Sequence, residues 1–578
     1  GTQRLTVGTS GVTVNGDLAT TTSGTSNFVA GVNAGNSIAS GGNYNTAVGD
    51  EAGTAITTSI NNTAVGWQAL TANTTGDSST AVGLQALATA TTGNSNSAFG
   101  TEALKYNTTG FRNSAFGGRD YDNGASSYGT LNLNTTGSYN SAFGQGSLAN
   151  NTTASANTAV GYQAGYTGTT SPNNTFMGVQ AGYSGTTGLG NNVAIGYQAS
   201  YAQTTGNNNV TVGYQAGLAN TTGSDSTAVG PYALYSNTTG YGNHAFGYAA
   251  LYRNTTASNN TAVGYQAVSF NTTGTSNVGV GHQALLANTT GGSNSAVGYQ
   301  AGYGNTTGGG NTAVGLSSLY TNTLGNNNTA VGVNALLTMN ITSGDSDNTA
   351  VGADAGRIIT TGHRNTCLGA FSGRYMTTAA DNVTVGYNAG NYEVNLTTGA
   401  GNVLVGPYVD PTDGTDNYAH GFGYNLNCAG DYTTLGTNTS DIRAQHGVAT
   451  WATVSDERYK KDIVDSTAGL SFINALTPRT FKYKTLGELP EAFRAYEADS
   501  TEVFKNSNTN HGFIAQEVKA AIDADSSIKD GFRLWDDRDD GSQEVAEAAL
   551  IPILVKAIQE LSATNDALAA RITALEGA

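Results

Sequence analysis

The chain has 578 residues, of which 79 are Gly and only 11% are charged, and its net charge is −17. The first 450 residues hold 27 charged side chains and the last 128 hold 36, so two different materials are joined end to end. An acidic balance without a Lys/Arg stripe excludes nucleic acid as a partner, since phosphate neutralisation dominates such affinity. No apolar run approaches eighteen residues, and no membrane insertion is expected. Cys367 and Cys428 are the only cysteines, too few for a disulfide framework and without metal-ligand spacing, so neither metal nor cofactor is expected. The chain begins at Gly1 without Met or a secretory signal, as if an upstream segment had been removed or left out.

Residues 1–40 read as an N-terminal strand region leading into a shaft, with a short strand pair over 11–18. From 41 to 406 a repeat of seventeen residues centred on Ala-Val-Gly takes over. The middle residues of its triplets include Val48, Val65, Val82, Phe99 and Phe116, then, after one long gap, Phe143, Val160, Met177, Ile195 and onward to Val331, with looser copies at Val351, Leu368, Val385 and Val405. Composition alone resembles low complexity, but a disordered tract has no reason to place a β-branched or aromatic residue at one phase of every copy. The fold class expected is mainly β: a parallel β-solenoid or β-roll of about 21 coils, on the order of 100 Å long.

One copy runs Asn260-Thr261-Ala262-Val263-Gly264-Tyr265-Gln266-Ala267 and on to Asn271-Thr272-Thr273-Gly274. It predicts a strand over Thr-Ala-Val-Gly, a second short segment over Tyr-Gln-Ala-Val, and a turn at Asn-Thr-Thr-Gly. Strand alternation sends Val to one face and Ala to the other. The expectation is that Val fills the coil and that the Ala face lets a neighbouring chain approach closely. Cys367, in an Ala slot, reads as a small core residue. The Asn-Thr-Thr copies at Asn73, Asn107 and Asn237 match a glycosylation acceptor pattern, but their phase and following Gly favour turn chemistry. The Tyr column at Tyr162, Tyr197, Tyr214, Tyr265 and Tyr299 is either structural stacking, the preferred reading, or a carbohydrate-stacking stripe. Thr columns raise an ice-binding reading, disfavoured because the Thr pairs lie in the predicted turn.

The sequence Asn192-Val193-Ala194-Ile195-Gly196 and the many Asn-Thr-Ala-Val-Gly copies resemble the YadA-like heads of trimeric autotransporter adhesins. That resemblance implies a homotrimeric β-roll. Residues 407–450 lose regularity and read as an irregular tip or cap, where Tyr408, Tyr418, His420, Phe422, Tyr424 and Tyr432 are candidate receptor contacts. Ordinary capping explains those aromatics equally well. The insertion between 118 and 140, with Asp120 and Tyr121, is the second candidate.

From Trp451 the composition becomes that of a mixed α/β domain, 451–546, followed by a helix over 547–578. Val454-Ser455-Asp456-Glu457-Arg458-Tyr459-Lys460-Lys461, Leu476-Thr477-Pro478-Arg479-Thr480-Phe481 and His511-Gly512-Phe513-Ile514-Ala515-Gln516-Glu517-Val518 resemble the intramolecular chaperone domain of phage tail fibres and tailspikes, the S74 peptidase family. The resemblance implies a domain that trimerises, sets the shaft in register and then cleaves itself off. The implied scissile bond is Ser455–Asp456, with Ser455 the nucleophile, Lys460 its base and Lys461 the backup. Without the downstream motifs, Ser455-Asp456-Glu457 would be read only as a helix N-terminus. Any enzyme activity expected is at most this single-turnover autoproteolysis.

Ile551, Ile558, Asn565 and Ile572 alternate with Leu554, Leu561, Leu568 and Leu575, a heptad seam with a polar register-setter. The seam rule favours two strands, the resemblances three. The reading is a homotrimeric fibre of a tailed bacteriophage, exposed on the virion and assembled in the host cytoplasm. Its expected partners are a host surface receptor, glycan or outer-surface protein, and other tail proteins met through its N-terminal side. The alternatives are an extracellular trimeric adhesin fibre and a polysaccharide depolymerase, the latter needing paired carboxylates of which only Asp120/Asp122 and Asp345/Asp347 recur.

Overall fold

The computed structural model describes residues 22–119, 128–185, 188, 190–341, 344–438, 440–448, 451–453, 457–493, 495–526, 528, 534–537 and 542–577. Its contacts divide the chain into two units, Gly1–Val454 and Ser455–Ala578. The strand pair expected over 11–18 lies outside the described residues.

The first unit is a parallel β-solenoid. Three-residue strands such as Thr46–Val48, Thr63–Val65 and Thr261–Val263 pair in register with the strand one repeat later, Thr46 with Thr63 and Val48 with Val65. The stack takes in Phe28–Ala30, within the 1–40 segment, and His420–Tyr424 and Tyr432–Thr437, within 407–450. These rungs bring it to about 23 turns, more than the repeat count alone, because they keep the coil while losing the Ala-Val-Gly spelling. The long coil between Phe116 and Phe143 holds the same register. An antiparallel pairing of Tyr432–Thr437 with Ser440–Gln445 ends the stack, which occupies the open strand edge that a solenoid otherwise presents.

The local reason for the coil is a set of residues with left-handed backbone between strand and turn. Gln266 and Val268 both have φ of 52°, so successive N–H groups point alternately to the coil before and the coil after. Gln266 N–H donates to the Tyr248 carbonyl at 2.9 Å and Val268 N–H to the Ala284 carbonyl at 2.8 Å. The Gly ending each triplet is required on two counts. Gly49 has φ of 121°, and a Cβ there would lie 2.8 Å from the Gly66 carbonyl, inside the closest approach that real side chains make.

The interior reverses the expected use of the strand faces. Ala262, Ala267 and Val268 are fully buried, as are Ala245, Ala250 and Leu251 one coil earlier. Val263, which was expected to fill the coil, is 38% exposed. In most coils the large interior residue comes from the second segment, where Leu251, Val268 and Leu285 project inward, and the strand opposite supplies a small one; at Phe176 and Leu404 the strand supplies the bulk instead, beside Gly165, Gly182 and Gly390. Cys367 takes one of these Ala slots, fully buried and aligned with Ala350 and Thr384. The Ala faces are therefore internal and give no account of how chains approach one another.

Asn lines the rest of the interior. Asn271 is buried; its amide donates to the Gly274 carbonyl at 2.8 Å and to the Asn254 side-chain oxygen at 2.9 Å, and its own oxygen accepts from Asn288. Asn260 accepts from the Asn277 backbone N–H at 2.9 Å. Thr272 and its equivalents donate to the carbonyl of the same Thr one coil on. The Asn-Thr-Thr copies thus serve as turns, with the Asn inaccessible inside the coil.

The second unit has a small core of Ala468, Phe472, Val518, Ile522, Leu534, Leu550 and Ile553. Helices Leu470–Ala475, Ala515–Ala524 and Ile551–Glu576 surround it, with a strand pair of Arg479–Phe481 and Asn510–Gly512.

Candidate assembly site and shaft surface

The terminal helix has two faces. Ile553 and Ala557 are buried in the core of the second unit, and the Glu560 carboxylate accepts the Leu470 N–H at 2.8 Å, tying the helix to the start of Leu470–Ala475. The other face carries Ile551, Leu554, Ile558, Leu561, Asn565, Leu568, Ile572 and Leu575, and all eight are exposed. Ile558 is 65% exposed and Leu575 76%. No residue from 561 to 577 is buried. Among the described residues this apolar seam has no partner within the chain.

Two of the sequence motifs meet in one structural unit. Thr480 pairs with His511 across the strand pair, and the Arg479 guanidinium donates two bonds to the Glu517 carboxylate, at 2.9 and 2.7 Å. That fork holds Glu517 below the usual carboxylate range. Lys460 is exposed, and its backbone N–H donates to the Glu457 carbonyl at 2.9 Å, closing the short turn Glu457–Tyr459. Ser455 and Asp456, the expected nucleophile and scissile bond, lie outside the described residues.

The candidate receptor residues divide into two groups. Tyr408 contacts Tyr392, Tyr387 and Tyr424 with ring centroids 4.5, 5.5 and 5.9 Å away, mostly edge to face. Phe371 extends this cluster against Tyr387; neither Phe371 nor Tyr387 was singled out from the sequence, although both sit at repeat positions. His420 stacks obliquely on His446 at 4.6 Å, and Tyr432 lies under the Arg443 guanidinium. Tyr418 and Phe422 are exposed. Beneath these groups Asp410 is fully buried, and its carboxylate accepts the N–H groups of Tyr392 and Glu393; burial raises it above the ordinary carboxylate value, with those backbone bonds opposing. Asp120 and Tyr121 lie outside the described residues.

Along the shaft, Tyr248, Tyr265, His282 and Tyr299 stack face to face at 5.0–5.2 Å within 9–11° of parallel. Structural stacking accounts for this run, whose rings cover one another's faces, whereas Tyr232 breaks the column by meeting Tyr214 and Tyr248 edge to face.

Residues 455–525 match the family model described as chaperone of endosialidase, of the S74 peptidase type. A β-solenoid followed by such a domain is the make-up of a fibre or spike-type protein. No match was found among curated proteins or among solved structures.

Proposed function

We propose that the protein is a homotrimeric fibre of a tailed bacteriophage used in host attachment, assembled by its C-terminal unit. The observation that carries this reading is the exposed heptad seam of Ile551–Glu576, in the same unit as the segment 455–525 that matches the chaperone model. Copies joining through that seam bring their solenoids together at one fixed level. After assembly Lys460 accepts the Ser455 hydroxyl proton as that oxygen attacks the carbonyl carbon of the Ser455–Asp456 bond; the Asp456 amine leaves with the proton, and water hydrolyses the resulting ester, so that the shaft ends at the Ser455 carboxylate. The aromatic cluster around Tyr408, in which Tyr387, Tyr392 and Tyr424 are exposed, is the receptor-contacting candidate.

Intact-mass measurement of freshly expressed protein beside Ser455→Ala tests the processing step. The expected result is a fragment ending at Ser455 in the wild type and a full-length chain in the variant. Full-length chains in both would leave the C-terminal unit a permanent cap and remove autoproteolysis from the reading.

A further inference from the structure

Among the described residues, the outward face of the solenoid strands has no partner within the chain. At the first position of each three-residue strand stand Thr, Ser, Val or His, with Phe28 at the first rung, and at the third stand Val, Phe, Met, Ile or Leu, with Ala30 at the first rung. Not one Asp, Glu, Lys or Arg occupies either column over the rungs from Phe28 to Val405. The charges of this region all lie elsewhere on the coil, as at Asp77, Asp225, Arg253 and Asp381. A solvated sheet face alternates apolar-in with polar-out; here both alternating faces are apolar or uncharged. Val297 is 41% exposed, Met177 45% and Phe246 40%.

We infer that this face is where copies of the chain pack side by side in register. The inference rests on the proposed assembly through the C-terminal helix and names the shaft surface that the assembly covers. Three observations select a second copy as the occupant. The stripe repeats at every coil, and only a partner with the same axial spacing covers it continuously. It runs over twenty-two rungs, from Phe28 to Val405, about 100 Å at the spacing of paired strands, a length that a second shaft matches from end to end. Its side chains also differ in size along the length. Phe99, Phe116 and Phe143 form one block of stacked rings, centroids 4.7 and 4.8 Å apart, with Met177 and Phe246 further on. A one-coil slip sets the ends of the Phe block against Val82 and Val160, so the bulky rungs favour alignment of like with like. Those same bulky rungs spoil the flatness that a water-ordering face would need.

The test uses the full chain with Ser455→Ala and single cysteines at Val263→Cys, at Leu561→Cys on the helix seam, and at Thr273→Cys on the exposed turn. Native Cys367 and Cys428 are buried, and burial pushes both thiols up to about 12, so they stay silent. With a short bis-maleimide, Val263→Cys and Leu561→Cys are expected to yield linked chains, and Thr273→Cys none. In a mixture of chains carrying Val263→Cys and Val331→Cys, four coils and about 19 Å apart, each is expected to link to its own kind only. Linkage through Leu561→Cys without Val263→Cys would overturn the strand-face inference and leave the helix assembly intact. Loss of both would overturn the assembly itself, and mixed 263–331 products would overturn the register.

Discussion

At the residue scale the shaft is held by groups that a globular core would avoid. Buried Asn is tolerated because an amide such as that of Asn271 finds a carbonyl in its own coil and an oxygen in the coil before, so the cost of burial is met only when coils stack. Asn271→Ala removes one link of this ladder, leaving the Asn254 side-chain oxygen short of its donor and the Gly274 carbonyl with the Asn260 amide alone. It is expected to cost roughly 2–3 kcal/mol, read as a lowered guanidinium midpoint, whereas Thr273→Ala on the outer turn stays within about 0.5 kcal/mol. His420 gives the last coils a pH dependence. Burial, aided by His446, holds its imidazole below the ordinary value. The unfolded chain therefore binds the proton first as pH drops below about 6.5, and stability present above that pH is lost as pH falls toward the folded value. Hydrogen exchange over 420–446 should quicken at pH 5 relative to pH 7.5, and His420→Asn should remove most of that difference.

At the scale of the element, the terminal helix separates two tasks on two faces. Ile553 and Ala557 anchor it to its own domain, while the seam faces away. Ile558→Ala combined with Leu561→Ala is therefore expected to weaken self-association at least about tenfold without unfolding the domain. Sedimentation velocity with circular dichroism checks this, and an unfolded double variant would contradict the separation of faces. Asn565 is a polar residue at a seam position. Such a residue costs stability and fixes alignment, so Asn565→Ile should raise the association constant while broadening the distribution of oligomers.

At the scale of the whole molecule, a stack of near-identical coils has many almost equivalent ways to pair with its copies, since shifting by one repeat keeps most contacts. Under the proposed assembly, the C-terminal unit is the device that fixes alignment before the shaft closes. Residues 1–454 expressed without the C-terminal unit are expected to yield aggregates or mixed species by light scattering. The same shaft released after assembly should stay a single oligomer on dilution. Identical behaviour of the two preparations would mean that the shaft aligns itself.

The one-dimensional patterns were legible in the amino-acid order alone: the coil length, the change of material near Trp451, the chaperone motifs and the eight seam residues from Ile551 to Leu575. Each is a matter of spacing, and spacing survives without coordinates. The inner and outer faces of the strand were not legible, because alternation defines two faces and is blind to the side on which the coil closes. That choice was made by residues outside the strand. Left-handed backbone at Gln266 and Val268 turns the second segment so that Leu251, Val268 and Leu285 enter the interior, and a coil of seventeen residues then has room opposite them for Ala and none for Val. The same closure buried the Asn columns, which sequence marked only as turns, and left the Val and Phe columns outside.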